Sequence, residues 1–468
     1  MTKERLNLLF VMTDHQRFDS LFMEQCGRQV TPYLNRLAEE SCYFTRAYNT
    51  CPLCVPARTA LATGVYPTQN QVVFNDWQGQ TAQPIEPIQV TLQRAGYRVG
   101  HVGVNHIQVI PNLRDQGLDL FIDQNDYQQW AEAQGIDSQR READLIEVKE
   151  EVRGEYQAKK YSSSRSSRWP YPPETHKDFY FLQRALEFLR QEDERPFALF
   201  VYFWAPHPPL IVPPPYDSMY PPKDLILPAN INQLSVDEPT LRRLGVPAQL
   251  AEKTDPTKWR QVWSAHLGLV TMADEWIGHL LETLKTQERY DDTIVVFTPD
   301  HGDHLGQHRM YQKMEMYEQA IRVPMLIRHP AGRRQTIETV VSHLDVVPTL
   351  YDLMAVGSLQ KGQIGRSLRP EILGQKAPKE GRAFCQYSGN PDYGTIRRAI
   401  ITQRYKFIYD SNHQGECYDL QTDSLEMKNI AGLPQYQALV GQLYQECRQF
   451  HREQADFFKW DESVGQNR

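Results

Sequence analysis

The stretch Thr293–Thr298 (TIVVFT), followed at once by Pro299-Asp300-His301-Gly302-Asp303, decides the fold. Its β-branched and aromatic residues are typical of a strand that is buried on both faces of a parallel sheet. Three other runs have the same character: Leu6–Met12 (LNLLFVM), Arg98–Val104 (RVGHVGV) and Ala198–Trp204 (ALFVYFW). Because helical patterns lie between these runs, the sequence predicts an α/β fold with a large, mostly parallel sheet sandwiched by helices.

Polar side chains follow each of the four strand-like runs. The pairs that come next in the chain are Asp14-His15, Asn105-His106, Pro206-His207 and Asp300-His301. In open α/β sheets, ligands bind outside the carboxyl ends of the strands. A single histidine after a strand is usually structural, but four such endings together predict a functional site at this edge of the sheet.

The acidic residues at this edge are candidate metal ligands. Asp14, Asp300 and His301 offer oxygen and nitrogen atoms of the kind that bind divalent cations. The same aspartates could instead cap the helix or turn that follows each strand. Spacing alone leaves both interpretations open.

The segment from Cys51 to Gly64 (CPLCVPARTALATG) carries the most specific pattern in the chain. Pro56 is suited to a helix start and Gly64 to a helix end, so the pattern predicts a helix with Cys54 at its N-terminus. There the helix dipole favours an anion or a thiolate, and Arg58 follows one turn later. The CxxC spacing also fits a redox pair or half of a zinc site, although no second CxxC exists. Cys51 alone is compatible with a buried, inert thiol.

The length of 468 residues predicts one large domain and one smaller domain. We place the catalytic domain at residues 1–375 and a C-terminal subdomain at 376–468. Short β-like runs at 383–387, 396–402, 405–409 and 416–420 precede a helical pattern at about 434–452, so this subdomain is predicted to be a small antiparallel sheet with a helix. In the large domain, helices are predicted to begin at Thr31-Pro32 and to cover about 258–284.

Residues 123–177 interrupt the alternation of strands and helices. The stretch is rich in Gln, Glu, Lys and Arg and then passes into SSSRSSRWPYPPE. We predict a solvated helical insertion followed by an irregular loop. Its charges are expected to form a solvated face; a lid or an oligomer contact is the alternative.

Composition restricts the class of protein. With 51 basic and 58 acidic residues the net charge is −7, which argues against a general nucleic-acid binder. The chain has no apolar run of membrane-spanning length, and its first residues do not resemble a signal peptide, so a cytoplasmic location is expected. Seven cysteines in 468 residues favour reduced thiols over a disulfide framework.

Several motifs resemble those of the sulfatase family, whose fold is alkaline phosphatase-like. Cys54-Val-Pro-Ala-Arg58, continued by Thr63-Gly64, resembles the CxPxR…TG signature in which the cysteine is oxidised to formylglycine. Further matches run along most of the chain, at 10–14 (FVMTD), 206–209 (PHPP), 298–303 (TPDHGD), 312–314 (QKM), 317–318 (YE), 321–324 (IRVP), 344–350 (LDVVPTL) and 418–420 (YDL).

The resemblance implies an enzyme that hydrolyses sulfuric esters, such as an arylsulfatase, or a related phosphonate monoester or phosphodiester hydrolase. Formylglycine at position 54 would hydrate to a geminal diol; one hydroxyl would attack sulfur or phosphorus and the other would then expel the transferred group. One divalent metal ion is implied, with Ca²⁺ expected first and Mn²⁺ or Mg²⁺ as alternatives. Its ligands would be Asp14, residue 54, Asp300 and His301.

The resemblance also implies roles for other side chains. Arg58 would hold the diol, and Lys313 and His207 would bind the ester oxygens. His207 is the candidate acid for the leaving group, and His106 would accept the proton that drives elimination. Asn75 is implied as a contact to the metal or to the transferred group.

Three departures from the family pattern bear on the substrate and the metal. Val104-Asn105-His106 stands where many members have Lys-x-His, so the lysine that supports the formylglycine is absent. His15 replaces the second aspartate of the usual pair, and His301 stands where many sulfatases have asparagine. The missing lysine leaves phosphonate monoester or phosphodiester hydrolysis open. The histidines at 15 and 301 weaken the expectation of calcium, because they add imidazole.

The implied partners are a small-molecule sulfate, phosphate or phosphonate ester and a formylglycine-generating enzyme for maturation. Neither a nucleic acid nor a membrane is expected, and a homo-oligomer is left open. Two other classes of function compete: a catalytically silent anion-binding member, supported by the missing lysine, and a cysteine-thiolate or CxxC redox protein. Neither of them requires the whole set of Cys54, Arg58, His207 and Lys313.

Overall fold

The structure is a computed structural model that describes residues 5–138, 141–376, 378–411 and 413–460. The strands are β1 (Asn7–Met12), β2 (Glu24–Gln25), β3 (Arg28–Gln29), β4 (Cys42–Tyr48), β5 (Arg98–Gly103), β6 (Leu120–Ile122), β7 (Leu145–Val152), β8 (Glu155–Ser162), β9 (Ser166–Arg168), β10 (Phe197–Tyr202), β11 (Leu210–Val212), β12 (Thr293–Phe297), β13 (Arg322–Arg328), β14 (Gln335–Ile337), β15 (Val341–Ser342), β16 (Ala383–Tyr387), β17 (Arg397–Ile401), β18 (Tyr405–Asp410) and β19 (His413–Asp419). The α-helices are α1 (Pro32–Glu39), α2 (Cys54–Thr63), α3 (Pro67–Asn70), α4 (Ile88–Arg94), α5 (Gln124–Ala133), α6 (Lys177–Arg190), α7 (Val246–Glu252), α8 (Trp259–Thr286), α9 (Glu318–Ile321), α10 (Val346–Met354), α11 (Arg369–Ile372) and α12 (Gln437–Glu453).

The four predicted buried strands are neighbours in one large sheet. Its order is β14-β4-β13-β12-β1-β10-β5-β6, with β15 also paired to β4. The central strands β12, β1, β10 and β5 run parallel, and β13 joins β12 antiparallel, which makes the sheet mixed. The prediction of a large, mostly parallel sheet is confirmed.

Both faces of this sheet are covered by helices because successive side chains of each strand point to opposite faces. Leu9 and Val11 of β1 belong to a core that includes side chains of α1, α6 and α8. Leu8 and Phe10 belong to a second core with side chains of α2, α4 and α10. The even burial of β1 therefore reflects two cores, one on each side of the sheet.

Helix α1 begins at Pro32 as predicted, but its N-terminus is capped from elsewhere. The side chain of Thr31 makes no capping hydrogen bond. Instead, the carboxylate of Asp274 on α8 accepts hydrogen bonds from the backbone N–H groups of Tyr33 and Leu34, at 2.9 and 2.7 Å. The end of α1 is thus stabilised by a tertiary contact with the long helix that packs beside it.

The C-terminal part forms the predicted small antiparallel sheet with a helix. Strands β16 to β19 pair in chain order, and α12 packs against them. Phe407 of β18 and Tyr444 of α12 lie in one core cluster with Cys447. Lys406 links this sheet to the larger domain through Glu318, with Nζ 3.1 Å from Oε1. The domain boundary at residue 375 stays a prediction.

The prediction of a solvated helix and loop over residues 123–177 is wrong for its central part. Helix α5 is present, but β7 and β8 form a β-hairpin, joined by Arg153 and Gly154 with φ of 52° and 84°. Two positive φ angles are what a tight two-residue hairpin turn requires. The many charges of this stretch concealed the period-two alternation that buries Val148, Glu150 and Val152.

All seven cysteines are free, as predicted for reduced thiols. Six of them are buried, and Cys26 is partly exposed. Among the described residues, none of the helices has the length and apolar character needed to cross a membrane.

Candidate active site

Cys54 is the first residue of α2 and lies at the floor of a pocket. The helix ends at Gly64, whose φ of 67° is the left-handed conformation that glycine adopts without strain. Asn75 accepts a hydrogen bond from the backbone N–H of Val55 at 3.2 Å, so it lies beside the start of the helix and lines the same pocket. The predicted helix and the position of Cys54 at its N-terminus are confirmed.

Arg58 joins two aspartates that follow different strands. Its Nη2 donates to Asp14 Oδ2 at 2.7 Å and its Nε to Asp300 Oδ2 at 2.8 Å, while Nη1 donates to the carbonyl of Val104 at 3.0 Å. All three side chains are buried. Three directed donors on one planar group are a property of arginine that lysine does not have.

The pKa values of the two aspartates are shifted in opposite directions. Burial, followed by the negative charge of Asp300, raises the pKa of Asp14 to about 7. Burial also acts on Asp300, but His301, Arg58 and Lys313 together outweigh it and lower its pKa to about 2. Two carboxylates that face each other in a buried site favour the approach of a further positive charge.

His301 directs a nitrogen lone pair at Cys54. Its Nδ1 lies 3.1 Å from the carbonyl oxygen of Gly302, to which it donates, and its Nε2 lies 3.2 Å from Cys54 Sγ. Burial lowers the pKa of His301 to about 3, so the ring is neutral near pH 7. A neutral imidazole held by a carbonyl at one nitrogen is the usual arrangement of a metal-binding histidine.

Lys313 also contacts Cys54 and is oriented by His15, which the sequence did not assign to the set of metal ligands. Its Nζ lies 2.9 Å from Cys54 Sγ and 2.6 Å from His15 Nε2. Since an ammonium group can only donate, Nε2 must accept, and the proton of His15 is on Nδ1, which donates to Asp303 Oδ2 at 2.7 Å. Asp303, His15 and Lys313 therefore form one directed chain of hydrogen bonds.

Asp14, Cys54, Asp300 and His301 form a group whose potential ligand atoms all lie within 4.8 Å of one another. These are the four residues that the resemblance implied as metal ligands. His15 and His207 form a second such group with Asp14 and Cys54. Carboxylate oxygens and a neutral imidazole nitrogen that converge on one point fit a divalent cation.

The environment of Cys54 does not favour a thiolate. Burial raises the pKa of Cys54 to about 12, and the negative charge of Asp14 adds to this effect. The protein groups around the sulfur therefore keep it as a thiol near neutral pH. This is evidence against a cysteine-thiolate enzyme, in which the pKa would be lowered.

His207 is held at the pocket wall by a loop that another buried aspartate supports. Asp178 on α6 accepts hydrogen bonds from the backbone N–H groups of Trp204 and Ala205, at 2.6 and 2.8 Å. The rings of Trp204 and His207 lie 4.2 Å apart, and His207 Nδ1 contacts the carbonyl of Pro208. No local sequence pattern marks Asp178, because its role arises from a contact between distant parts of the chain.

His106 lies at the same pocket, next to the position of the missing lysine. Its ring is 4.9 Å from that of Trp77, with the planes at 69°. Val104, where many sulfatases have lysine, has its side chain buried in the core, and its carbonyl accepts a hydrogen bond from Arg58. The structure thus brings His106, His207, Lys313, Asn75 and Cys54 to one pocket of about 500 Å³.

The hairpin of β7 and β8 forms part of the pocket wall and contains a buried carboxyl group. Tyr161, which lines the pocket, donates its hydroxyl to Glu150 and lies 3.1 Å from the carbonyl of Asn390. Burial raises the pKa of Glu150 to about 7, although hydrogen bonds from Tyr161, Tyr387 and Asn390 and the charge of Lys159 oppose this rise.

Glu150→Gln is expected to increase stability at high pH. The pKa of Glu150 is higher in the folded chain than its usual 4.5, so its contribution to stability is present below pH 4.5 and is lost as pH rises through 7. The variant should be about 2–3 kcal/mol more stable than wild type at pH 8 and equally stable at pH 4.5. Unfolding by urea at both pH values measures this. Glu147→Gln, at an exposed position of the same strand, is the control and should change stability little; equal effects of the two variants would contradict the assignment.

Solved structures superpose on this chain over nearly its whole length. The phosphonate monoester hydrolase SpPMH from Silicibacter pomeroyi superposes with a TM-score of 0.76 at 22% identity, covering 97% of this chain and 96% of that one. The likeness confirms an alkaline phosphatase-like α/β architecture with a small C-terminal sheet. Among curated relatives, "Multifunctional alkaline phosphatase superfamily protein PehA" of Trinickia caryophylli is 26% identical over 97% of this chain and 96% of its own length.

The family assignment is more specific. The chain matches the model of the Sulfatase family over residues 6–356, which is more than half of its length. Residues 306–453 also match the model described as "N-sulphoglucosamine sulphohydrolase, C-terminal". Choline-sulfatase of Rhizobium meliloti (strain 1021) is 27% identical over 93% of this chain and 84% of its own. The chain belongs to the sulfatase family of hydrolases, which confirms the resemblance read from Cys54-Val-Pro-Ala-Arg58.

Proposed function

We propose that this enzyme hydrolyses sulfuric esters through a formylglycine formed from Cys54, together with one divalent cation. The observation that carries this proposal is the surrounding of Cys54 Sγ, which has Lys313 Nζ at 2.9 Å and His301 Nε2 at 3.2 Å at the start of α2. Burial raises the pKa of the Cys54 thiol to about 12, which argues against an unmodified cysteine as the nucleophile near pH 7.

Asp14, residue 54, Asp300 and His301 would hold the cation. When bound, it supplies positive charge to an ester oxygen and lowers the pKa of a hydroxyl group. Arg58 occupies Oδ2 of both aspartates, and this orients Asp14 so that Oδ1 faces Cys54 Sγ at 3.8 Å. We expect Ca²⁺ first, with Mn²⁺ or Mg²⁺ as alternatives.

The remaining residues would bind the ester and move protons. A hydrated aldehyde at position 54 supplies an oxygen nucleophile and a second hydroxyl for release of the transferred group. Lys313, oriented by His15, would neutralise the ester oxygens. His207 would donate a proton to the departing oxygen, and His106 would accept the proton whose removal drives release. Asn75 would contact the transferred group beside the start of α2.

Maturation would require a formylglycine-generating enzyme that uses an external oxidant to convert the CH2–SH side chain of Cys54 to an aldehyde, with loss of the sulfur. The tryptic peptide 47–58 tests this directly, since it contains both Cys51 and Cys54. After reduction and alkylation of protein made in a host that modifies such motifs, we expect one alkylated cysteine and an aldehyde at position 54. Two alkylated cysteines in every molecule would overturn the proposed nucleophile.

A phosphonate monoester or phosphodiester hydrolase that uses the same site is the second candidate function. It is supported by His15 and His301, which add imidazole where many sulfatases have aspartate or asparagine, and by a relative that is named multifunctional. Turnover of an aryl sulfate and of an aryl phosphonate monoester with the same leaving group separates the two functions. A higher kcat/KM for the phosphonate would reverse our order of preference.

A further inference from the structure

The wall of the active-site pocket carries more positive charge than the hydrolysis of one ester group requires. Among the described residues that line it, Lys159, Lys160, Lys177 and Lys313 are cationic and none is Asp or Glu. A sulfate monoester carries a single negative charge, and under the proposed function Lys313 and the cation face that charge at the floor. Lys159, Lys160 and Lys177 therefore have no role in the proposed reaction.

The hairpin register separates its two lysines. Successive side chains of a strand point to opposite faces. Lys159 is paired with Val148 and shares a face with Glu150 and Tyr161. Val148 and Glu150 are buried, so this face is turned toward the body of the protein. Lys160 points to the other face, where its side chain is half exposed.

Only one of these lysines has a carboxylate partner in the described residues. Lys160 Nζ lies 2.5 Å from Glu142 Oε1. Within the same described ranges, Lys159 forms no ion pair. Its positive charge acts to lower the pKa of Glu150 and of Asp392. Each of these carboxyl groups has another hydrogen-bond partner, however: Glu150 accepts from Tyr161, and Asp392 accepts from Arg153 Nε at 2.8 Å.

Lys177 differs from Lys159 in its surroundings. Its ammonium group lies over the ring of Trp204 at 4.1 Å, on the wall that also carries His207. An ammonium over an aromatic face already has a favourable partner. Lys159, half-buried at the pocket without an ion-pair partner, is the cation best placed to receive a negative group from a ligand.

We propose that Lys159 binds a second anionic group of the substrate, so that the preferred ester has a carboxylate, sulfate or phosphate on its leaving group. The inference rests on the proposed function, because it assumes that the ester to be hydrolysed sits at Cys54. A pocket of about 500 Å³ has room for a leaving group between the floor and the hairpin. A half-buried ammonium and an anion form a charge-assisted hydrogen bond that a neutral group cannot replace.

The test uses nitrophenyl sulfates that carry a carboxylate on alkyl chains of increasing length, each paired with its methyl ester. The measured quantity is the ratio of kcat/KM for the acid to kcat/KM for the ester, which cancels general effects of a substitution. Lys159→Gln should lower this ratio about tenfold for at least one chain length. Lys160→Gln is the matched control, because the Lys160 ammonium is already paired with Glu142; it should change the ratio less than about twofold.

Two results would overturn the inference while leaving the hydrolase in place. The first is an unchanged ratio in Lys159→Gln at every chain length. The second is an equal loss in Lys159→Gln and Lys160→Gln, which would mean that the general positive field of the hairpin, and not Lys159, selects the acid. Added salt should also reduce the preference of the wild-type enzyme for the acid.

Calorimetry separates failure of the inference from failure of the proposed function. If none of the esters is hydrolysed, the same compounds are titrated into Cys54→Ser protein with and without Lys159→Gln. Tighter binding of the acid that depends on Lys159 would support anion binding by Lys159, while the lack of turnover would contradict the hydrolase. Equal binding of acid and methyl ester would overturn the inference.

Discussion

Replacing Cys54 with alanine is expected to reduce kcat/KM for a sulfate ester by on the order of 10⁴-fold or more. The side chain would lose the atom that Lys313 and His301 contact, at 2.9 and 3.2 Å. Alanine favours helix formation and fills most of the same buried space, so α2 should persist. Steady-state turnover gives the loss of activity, and the melting temperature reports the fold.

Two variants give this prediction its controls. Cys51→Ala changes the other cysteine of the same segment, which is buried and lies outside the residues found to line the pocket; it should retain activity close to wild type. Cys54→Ser introduces a hydroxyl but cannot form an aldehyde. The ester formed on this serine would have to be released by attack of water, so the variant should be nearly as inactive as Cys54→Ala. Sustained turnover by either substitution at position 54 would contradict the mechanism.

Asp300→Asn is expected to remove the divalent cation and activity together. The change keeps the size of the side chain but removes one of two carboxylates that converge with His301 and Cys54. Arg58 would keep its hydrogen bond to Asp14 at 2.7 Å, so the arrangement of the floor should survive. We expect a loss of activity on the order of 10³-fold, measured beside metal content by elemental analysis.

A matched control for this variant is Asp274→Asn. Asp274 is also a buried aspartate, but it caps helix α1. Its substitution should cost about 1 kcal/mol of stability and leave the metal content unchanged. After a chelator has removed the metal, adding Ca²⁺, Mn²⁺ or Mg²⁺ should restore the activity of the wild-type enzyme. The same addition should not activate Asp300→Asn. A wild-type metal content in Asp300→Asn would remove Asp300 from the ligand set.

Arg58 holds together residues that come from three different elements of the fold. Asp14 follows β1 and Asp300 follows β12, which are adjacent parallel strands, so both aspartates lie at the same edge of the sheet. Arg58 comes from α2 and reaches both with separate nitrogen atoms. Breaking a buried ion pair of this kind leaves an uncompensated charge, so substitution of Arg58 should affect folding as well as catalysis.

Much of this site could be predicted because it depends on short-range patterns. An apolar strand followed by Asp-His places those side chains at the sheet edge, and Pro56 and Gly64 mark a helix that starts at Cys54. The hairpin around Glu150 could not be predicted, because the charges of this stretch hide its period-two alternation of buried and exposed residues. The Arg153-Gly154 turn that makes the hairpin is a weak signal in sequence.

By itself, the amino-acid sequence determined the class of fold, the strands that deliver Asp14 and Asp300, and the family. These follow from local hydrophobicity, from helix-end chemistry and from one specific motif. Only the tertiary structure decided that Asp303 orients His15 toward Lys313, that Asp178 supports the His207 loop, and that Lys159 faces the pocket. Such contacts join residues far apart in the chain, and their geometry is set by packing between elements, which no local pattern encodes.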